Sequence, residues 1–324
     1  MHLWVARRIG QTLLTLFAMS LLVFIGVWLV GNPVDMLLSS NATPTERAEV
    51  INAFGLNQPV LLQYWHFLVR ALHGDLGNSW VYNMPALKLI LQRMPATLEL
   101  ALIAFLFALI VGIPLGILAG VKPRSIAAKS VMSLSLFGVS LPSFWVGMMM
   151  IMLFSVKLGW LPASGRGSTV SLWGIHVSFL TLDGWRHLLL PALNLALYKI
   201  SIVIRLTRAG TLECLQQDYV RFAVAKGLSA RRILFVHVLK NTLIPLVTVL
   251  GLELGSVIAF SVVTETIYAW PGMGKLIIDA LGVLDRPVIL AYLLMTVLMF
   301  TLINMLVDFL YVLIDPRVRH GGEK

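Results

Sequence analysis

An all-α polytopic membrane protein with six transmembrane helices is the fold class the sequence predicts, and three observations carry that expectation. First, the 324-residue chain is 58% hydrophobic and 12% charged, with mean hydropathy +0.88. Soluble domains carry about 25% charged residues, so lipid is the main solvent here. Second, six apolar runs approach or exceed the ~20 residues that cross a hydrocarbon core as a helix: Gly10–Val30, Thr97–Ala119, Val131–Val156, His187–Ile204, Leu243–Val263 and Val288–Ile314. The alternating pattern of barrel strands is absent, which leaves helices to satisfy backbone polar groups in lipid. Third, the basic residues sort by side. Of the 25 Lys and Arg, fifteen fall in the N-terminus, 121–130, 205–241 and the tail. Nine are spread thinly over the intervening loops, and Lys199 lies within a run. The positive-inside rule then places both termini in the cytoplasm. The net charge of +10 therefore reports topology rather than nucleic-acid binding.

Taken in order, the first run follows Arg7 and Arg8. It is longer than a secretory h-region of ~7–15 residues and no small-x-small cleavage site follows, so it reads as an uncleaved first span. The next segment, 31–96, is an external loop with structure of its own. Pro44–Glu49 starts a helix with Thr43 or Thr45 as cap. Val60–Leu72 has helical spacing, and Gly74–Ser79 is turn-rich. That loop is an ordered cap or part of a ligand site. In the third run Pro142 sits between Ser140 and Ser143, whose hydroxyls suit a kinked helix; the kink serves gating or packing alone. Glu99 reads as interfacial, and Ser164–Ser168 as a flexible external turn.

Lys199 and Glu253 fall inside the fourth and fifth runs, where charges are costly and face a bundle interior or an aqueous path. Three readings stand open: an ion pair, a Lys199 side chain snorkelling to the interface, or direct contact with a translocated solute. Glu265 and Pro142 join Lys199 and Glu253 as candidates for lining a path.

Between the fourth and fifth runs lies the amphipathic stretch Asp218–Pro245. Thr211–Lys226 can form one helix, ended by Gly227 in the left-handed conformation. Ser229 caps a second helix, Ala230–Lys240. Small residues at Ala223 and Gly227 suggest a surface that enters a cleft on a partner; the alternative is an amphipathic element held by anionic lipid. A DNA-reading helix–turn–helix is excluded, because the segment is tethered between two spans and too short for a three-helix domain. Covalent chemistry finds no support. Gly274-Lys275 fails the phosphate-loop pattern, since Ala269 and Leu276 occupy required positions. No Walker A or H-E-x-x-H occurs, and the single Cys214 gives neither disulfide nor metal framework. Neither catalytic nor metal-ligating residues are expected.

The Asp218–Pro245 stretch resembles the coupling loop of ABC importer permeases, consensus E-A-A-x3-G-x9-I-x-L-P. Ala223, Gly227 and Leu239 match in spacing, while Arg221, Phe222, His237 and Lys240 replace the Glu, first Ala, Ile and Pro. His237-Val238-Leu239-Lys240-Asn241, Leu56–Pro59 with His73–Gly77, and Trp270-Pro271-Gly272-Met273-Gly274 are similar to the peptide and nickel branch of that family. The resemblance implies a single permease domain over 1–324 with the type I importer fold. It implies coupling through Arg221, Ala223, Gly227, Ser229, His237, Leu239 and Asn241, on 205–241. It also implies a bacterial inner-membrane location, a second homologous permease, two cytoplasmic ATPases that bind ATP and Mg, and an external solute-binding protein. This subunit would carry no cofactor and conduct a di- or oligopeptide, or a peptide-like solute, by alternating access. An ion-coupled secondary transporter with a Lys199–Glu253 relay, or an intramembrane enzyme using Glu253, are the alternatives.

Overall fold

The computed structural model describes residues 2–29, 43–53 and 57–314. The basic tail residues Arg317, Arg319 and Lys324 lie outside the described residues, as do 30–42 and 54–56. The chain divides into two compact units, 1–95 with 272–301, and 96–271 with 302–324.

In the first unit, α1 (His2–Leu29), α2 (Pro44–Ala53) and α3 (Val60–Leu72) precede the first turns of α4 (Ala86–Val121). Thr43 caps α2 reciprocally. Its Oγ1 accepts from the Glu46 N–H at 3.3 Å, and the Glu46 carboxylate accepts from the Thr43 N–H at 2.8 Å. Hydrogen bonds from Thr43, its backbone N–H first and then its side chain, hold the Glu46 carboxyl below its usual range. The α3 helix is amphipathic and turns Tyr64 and Phe67 inward. They stack with Phe24 of α1 at centroid distances of 5.3 and 5.6 Å, and the Tyr64 hydroxyl meets Ser20 Oγ at 2.8 Å. The unit also holds α11 (Met273–Gly282) and the start of α12 (Arg286–Ile314). Asp285, just before α12, accepts from Ser79 Oγ at 2.5 Å and so ties down the Gly74–Ser79 turn.

The second unit is built around α7 (Leu182–Leu215). Against it pack α5 (Ile126–Ser140), α6 (Ser143–Met150, continued by a π-helical stretch Ile151–Lys157) and α10 (Leu239–Ile267). Ala108, Val203 and Leu246, from α4, α7 and α10, form a shared core. Gly112, Gly116 and Gly120 of α4 lie one turn apart and face Val203, Thr207 and Thr211 of α7. A Cβ on Gly116 would sit 2.6 Å from Thr207 Cβ and 2.8 Å from the Ile204 carbonyl. Such a ribbon lets two backbones touch, which is how apolar helices associate when lipid removes the hydrophobic drive.

Among the described residues, every apolar run falls on helix except at Leu141 and Pro142 in the third. Among the described residues three helices, Ala86–Val121, Leu182–Leu215 and Arg286–Val307, are long and apolar enough to cross a membrane, or four if one bent pair counts as a single span. The first run is represented by the shorter apolar stretch Gly10–Gly26, and the fifth lies within the 29-residue α10. The third run departs from a single kinked helix. It is two helices, α5 and α6, meeting at 104°. Proline has no N–H to donate and pushes the residue before it out of the helical region. Leu141 (ψ 135°) and Pro142 (ψ 132°) are both extended, so the ladder stops before the proline and restarts at Ser143. A short antiparallel hairpin, β1 (Val170–Leu172) and β2 (Ile175–Val177), interrupts the otherwise helical chain between α6 and α7.

Candidate functional site

Two regions of the second unit carry the residues singled out by the sequence. The first follows α7. The single helix expected over Thr211–Lys226 is instead broken at Gln216-Gln217, and a separate α8 (Asp218–Ala225) follows. The break is dictated by packing rather than propensity. It lets the inner face of α8, Val220 and Ala223, meet Ile233 and Val238 in a small core that Cys214, Leu215, Leu228 and Leu234 complete. Gly227 then takes φ +75°, as expected. The Leu228 N–H donates to the Ala223 carbonyl and the Gly227 N–H to that of Val224, the two bonds of a Schellman cap. Ser229 caps the next helix, its Oγ accepting from the Arg232 N–H at 3.4 Å. That helix does not end at Lys240. It passes from α9 (Ala230–Arg232) through a π-helical stretch, Ile233–Val238, straight into α10. Single π turns of this kind are common at functional sites.

The outward surface differs from the small-residue bend inferred from the sequence. Ala223 is only 5% exposed and belongs to the core of the segment. What faces outward is aromatic, aliphatic and basic: Phe222, Val224, Phe235 and Val236 with Arg221, Arg231 and Arg232. Ser229, Arg231, Arg232 and Phe235 line an open groove of about 400 Å³. His237 and Leu239 are half-buried. Asn241 is a tie: its amide donates to the Tyr219 hydroxyl at 3.0 Å and to the His237 carbonyl at 2.8 Å, joining α8 to α10. Partial burial, and then the Cys214 thiol, push the Tyr219 phenol up.

The second region is the charges within α7 and α10. Lys199 Nζ donates to Glu253 Oε2 and, at 2.5 Å, to Ser256 Oγ. It also stands 5.2 Å from the Tyr198 ring centroid and 5.9 Å from that of Phe260, a cation held by one carboxylate and two aromatic faces. Among the three readings of these residues, the geometry is that of the ion pair; Lys199 is not extended towards an interface. Glu265 lies fully buried, accepting from Thr97 Oγ1 at 2.7 Å and Ser261 Oγ at 3.1 Å. Pro142 marks the α5–α6 bend. Beyond α10, Tyr268 and Trp270 are buried, donating to the carbonyls of Gly147 (3.2 Å) and Ala96 (2.9 Å).

Sequence reasoning missed one cluster. Glu99, read as interfacial, is buried within the protein, and Ser164–Ser168 is a tied turn rather than a flexible one. Arg166 Nη2 donates to Glu99 Oε2 at 2.5 Å, and the Ser178 N–H, Ser178 Oγ and Phe179 N–H all converge on Glu99 Oε1 within 2.8 Å. Arg166 also stands 5.7 Å from the Trp270 ring centroid. Ser168 donates to Asp183 through both its N–H and its hydroxyl. The available signal was a lone acid inside an apolar run and a lone arginine in a glycine-rich turn. The glycine ribbon was legible too, as G-x3-G-x3-G at 112–120.

Comparison with known proteins places these features. Residues 112–320 match the family model for the binding-protein-dependent transport system inner membrane component, and residues 1–101 match the model for its N-terminal part. The chain is 39% identical to the dipeptide transport system permease protein of Escherichia coli (strain K12), with 98% of each chain covered. It is 40% identical to the di/tripeptide transport system permease protein of Pseudomonas aeruginosa (strain UCBPP-PA14), again with 98% of each covered. Against the oligopeptide transport system permease protein of Bacillus subtilis (strain 168) it is 35% identical, over 99% of this chain and 100% of the relative. Among solved structures, the inward-facing MetNI methionine ABC transporter matches with a TM-score of 0.54 at 18% identity, over 70% of this chain and 96% of that one, a likeness of fold alone. The chain belongs to the binding-protein-dependent transport system inner membrane components, as a multi-pass permease of the peptide ABC importer type.

Proposed function

We propose that this subunit forms half of the translocation path of an ATP-driven importer for di- or oligopeptides, with a second homologous permease completing it. Two cytoplasmic ATPases bind ATP and Mg, and an external binding protein delivers the substrate. Both termini and the 205–241 segment face the cytoplasm. The observation that carries the reading is the construction of that segment. Its own core of Val220, Ala223, Ile233 and Val238 makes α8 and the start of the next helix one rigid piece. An outward groove of Arg231, Arg232 and Phe235 offers an ATPase something to hold. The helix from Ala230 runs without interruption into α10, and α8 abuts the end of α7. A displacement of the groove is therefore delivered to two spans at once. In this mechanism ATP closes the ATPase pair, the segment follows, and α7 and α10 reorient to open the path outward. Hydrolysis resets the inward-facing state. The Lys199–Glu253 pair lies on those same two helices, so their charges move with the coupled elements.

The test is charge reversal in the groove. Arg231→Glu with Arg232→Glu, both on exposed side chains, should leave membrane insertion unchanged while abolishing ATP-dependent uptake of a radiolabelled dipeptide. Normal uptake by an assembled variant refutes the docking surface. Uptake that persists without ATP but follows an ion gradient replaces the importer with a secondary transporter.

A further inference from the structure

The β1–β2 hairpin has a two-faced construction that its place in the chain makes informative. The register pairs Val170 with Val177, Ser171 with His176 and Leu172 with Ile175. Side chains alternate along a strand, so Val170, Leu172, Ile175 and Val177 share one face, and Ser171 and His176 the other. Val177, at the base, is buried, but Val170, Leu172 and Ile175 are about half exposed. At the tip, Trp173 (φ 50°) and Gly174 (φ 81°) both occupy the left-handed region, as a two-residue type I′ turn requires. Tryptophan is an uncommon occupant of that region, and this one is 95% exposed. From Gly167 to Leu182 there is no Lys, Arg, Asp or Glu.

We propose that this hairpin is a bilayer anchor: its apolar face and Trp173 sit among the phospholipid headgroups and upper acyl chains around the α6–α7 end of the protein. Three arguments converge on lipid as the occupant. A two-stranded hairpin with an uncovered apolar face is marginal in water; Glu99 holds Ser178 and Phe179 just past its base, and Arg166 holds the His176 carbonyl at the middle of β2. The hairpin is bound to the membrane surface by chain length: it ends five residues before α7, whose apolar centre begins near Leu188. The helix rises ~1.5 Å per residue, which sets Leu182 ~9 Å above that point, at the outer edge of the headgroup layer, which adds about 5–7.5 Å on each side of a ~30 Å core. Finally, the residues are those the interface selects. Trp160 and Trp173 lie in this connection and Trp185 in the first turn of α7, and tryptophan concentrates at the headgroup level. An uncharged surface suits lipid better than the charged rim of a soluble partner. Ser171 and His176 then face water.

The experiment uses the full chain with Cys214→Ser, in nanodiscs of phosphatidylethanolamine and phosphatidylglycerol. A nitroxide is attached at Leu172→Cys, Trp173→Cys or Ser171→Cys, all exposed positions. Power saturation with oxygen, which partitions into lipid, is compared with the water-soluble nickel ethylenediaminediacetate. The expected result is an oxygen-to-nickel accessibility ratio several-fold higher at Leu172 and Trp173 than at Ser171. Equal, nickel-favoured ratios at all three sites overturn the proposal, since the hairpin then stands in water. Shielding of Leu172 and Trp173 from both reagents, appearing when co-purifying partners are restored, also overturns it and assigns the face to a protein. A second measurement needs no label: brominated-lipid quenching of tryptophan fluorescence should fall when Trp173→Phe is introduced. An unchanged quenched fraction counts against the anchor.

Discussion

Removing either member of the Lys199–Glu253 pair should destabilise the protein, and unequally. Breaking a buried ion pair by deleting one partner costs about 3–5 kcal/mol, because the other charge is left uncompensated. The two ends are not equally buried: the Lys199 side chain is 5% exposed and that of Glu253 is 26% exposed. In Lys199→Met the orphaned carboxylate keeps Ser256 Oγ as a donor at 3.0 Å and has a partly exposed edge. Its loss should fall near the lower limit, about 3 kcal/mol. In Glu253→Gln the ammonium remains enclosed, with Ser256 and the Tyr198 and Phe260 rings as its named neighbours. That variant should approach the upper limit, about 5 kcal/mol. The double variant Lys199→Met with Glu253→Gln should recover part of the loss, since neither charge is then stranded. The assay is equilibrium unfolding of the purified subunit in mixed micelles by titrated SDS, read as a double-mutant cycle. Strictly additive losses would falsify the coupling, and a Lys199→Met loss larger than that of Glu253→Gln would refute the burial argument.

Four further outcomes follow from the same geometry. Gly116→Leu should prevent α4 and α7 from packing, because even a Cβ there meets Thr207 and the Ile204 carbonyl inside 3 Å; yield of folded protein in detergent chromatography checks it. Gly227→Ala meets no neighbouring atom, so its cost is the left-handed backbone alone, about 1 kcal/mol; ATP-dependent uptake should fall only modestly, and total loss would point to a contact at Gly227 itself. Glu99→Gln should free the Ser164–Phe179 connection by weakening the Arg166 anchor, raising its amide hydrogen exchange while α10 stays protected. A reporter that is active only outside the cytoplasm should be silent when fused after Lys324 and active when inserted near Asn78; the reverse pattern overturns the assigned orientation.

Properties that depend on composition or on a few adjacent residues were readable from the chain alone. Lipid as solvent follows from the scarcity of charge, and helix follows from lipid, since an unpaired backbone group has no water to turn to. The Gly227 turn, the Ser229 cap and a helix start capped at Thr43 or Thr45 were legible because each is satisfied within a handful of residues. What the tertiary structure decided are the contacts between distant positions. Periodicity told that Ala223 lies near a helix end, but only the presence of Val238 against it turned Ala223 inward and broke the expected helix at Gln216-Gln217. Pro142 announced an interruption, whereas the 104° angle depends on how α5 and α6 each pack on α7. Glu99 and Arg166 are 67 residues apart, and Lys199 and Glu253 are 54 apart. A charge in an apolar run announces that a partner must exist, because burial without one is prohibitive, but local sequence carries no record of which residue the fold will bring to it.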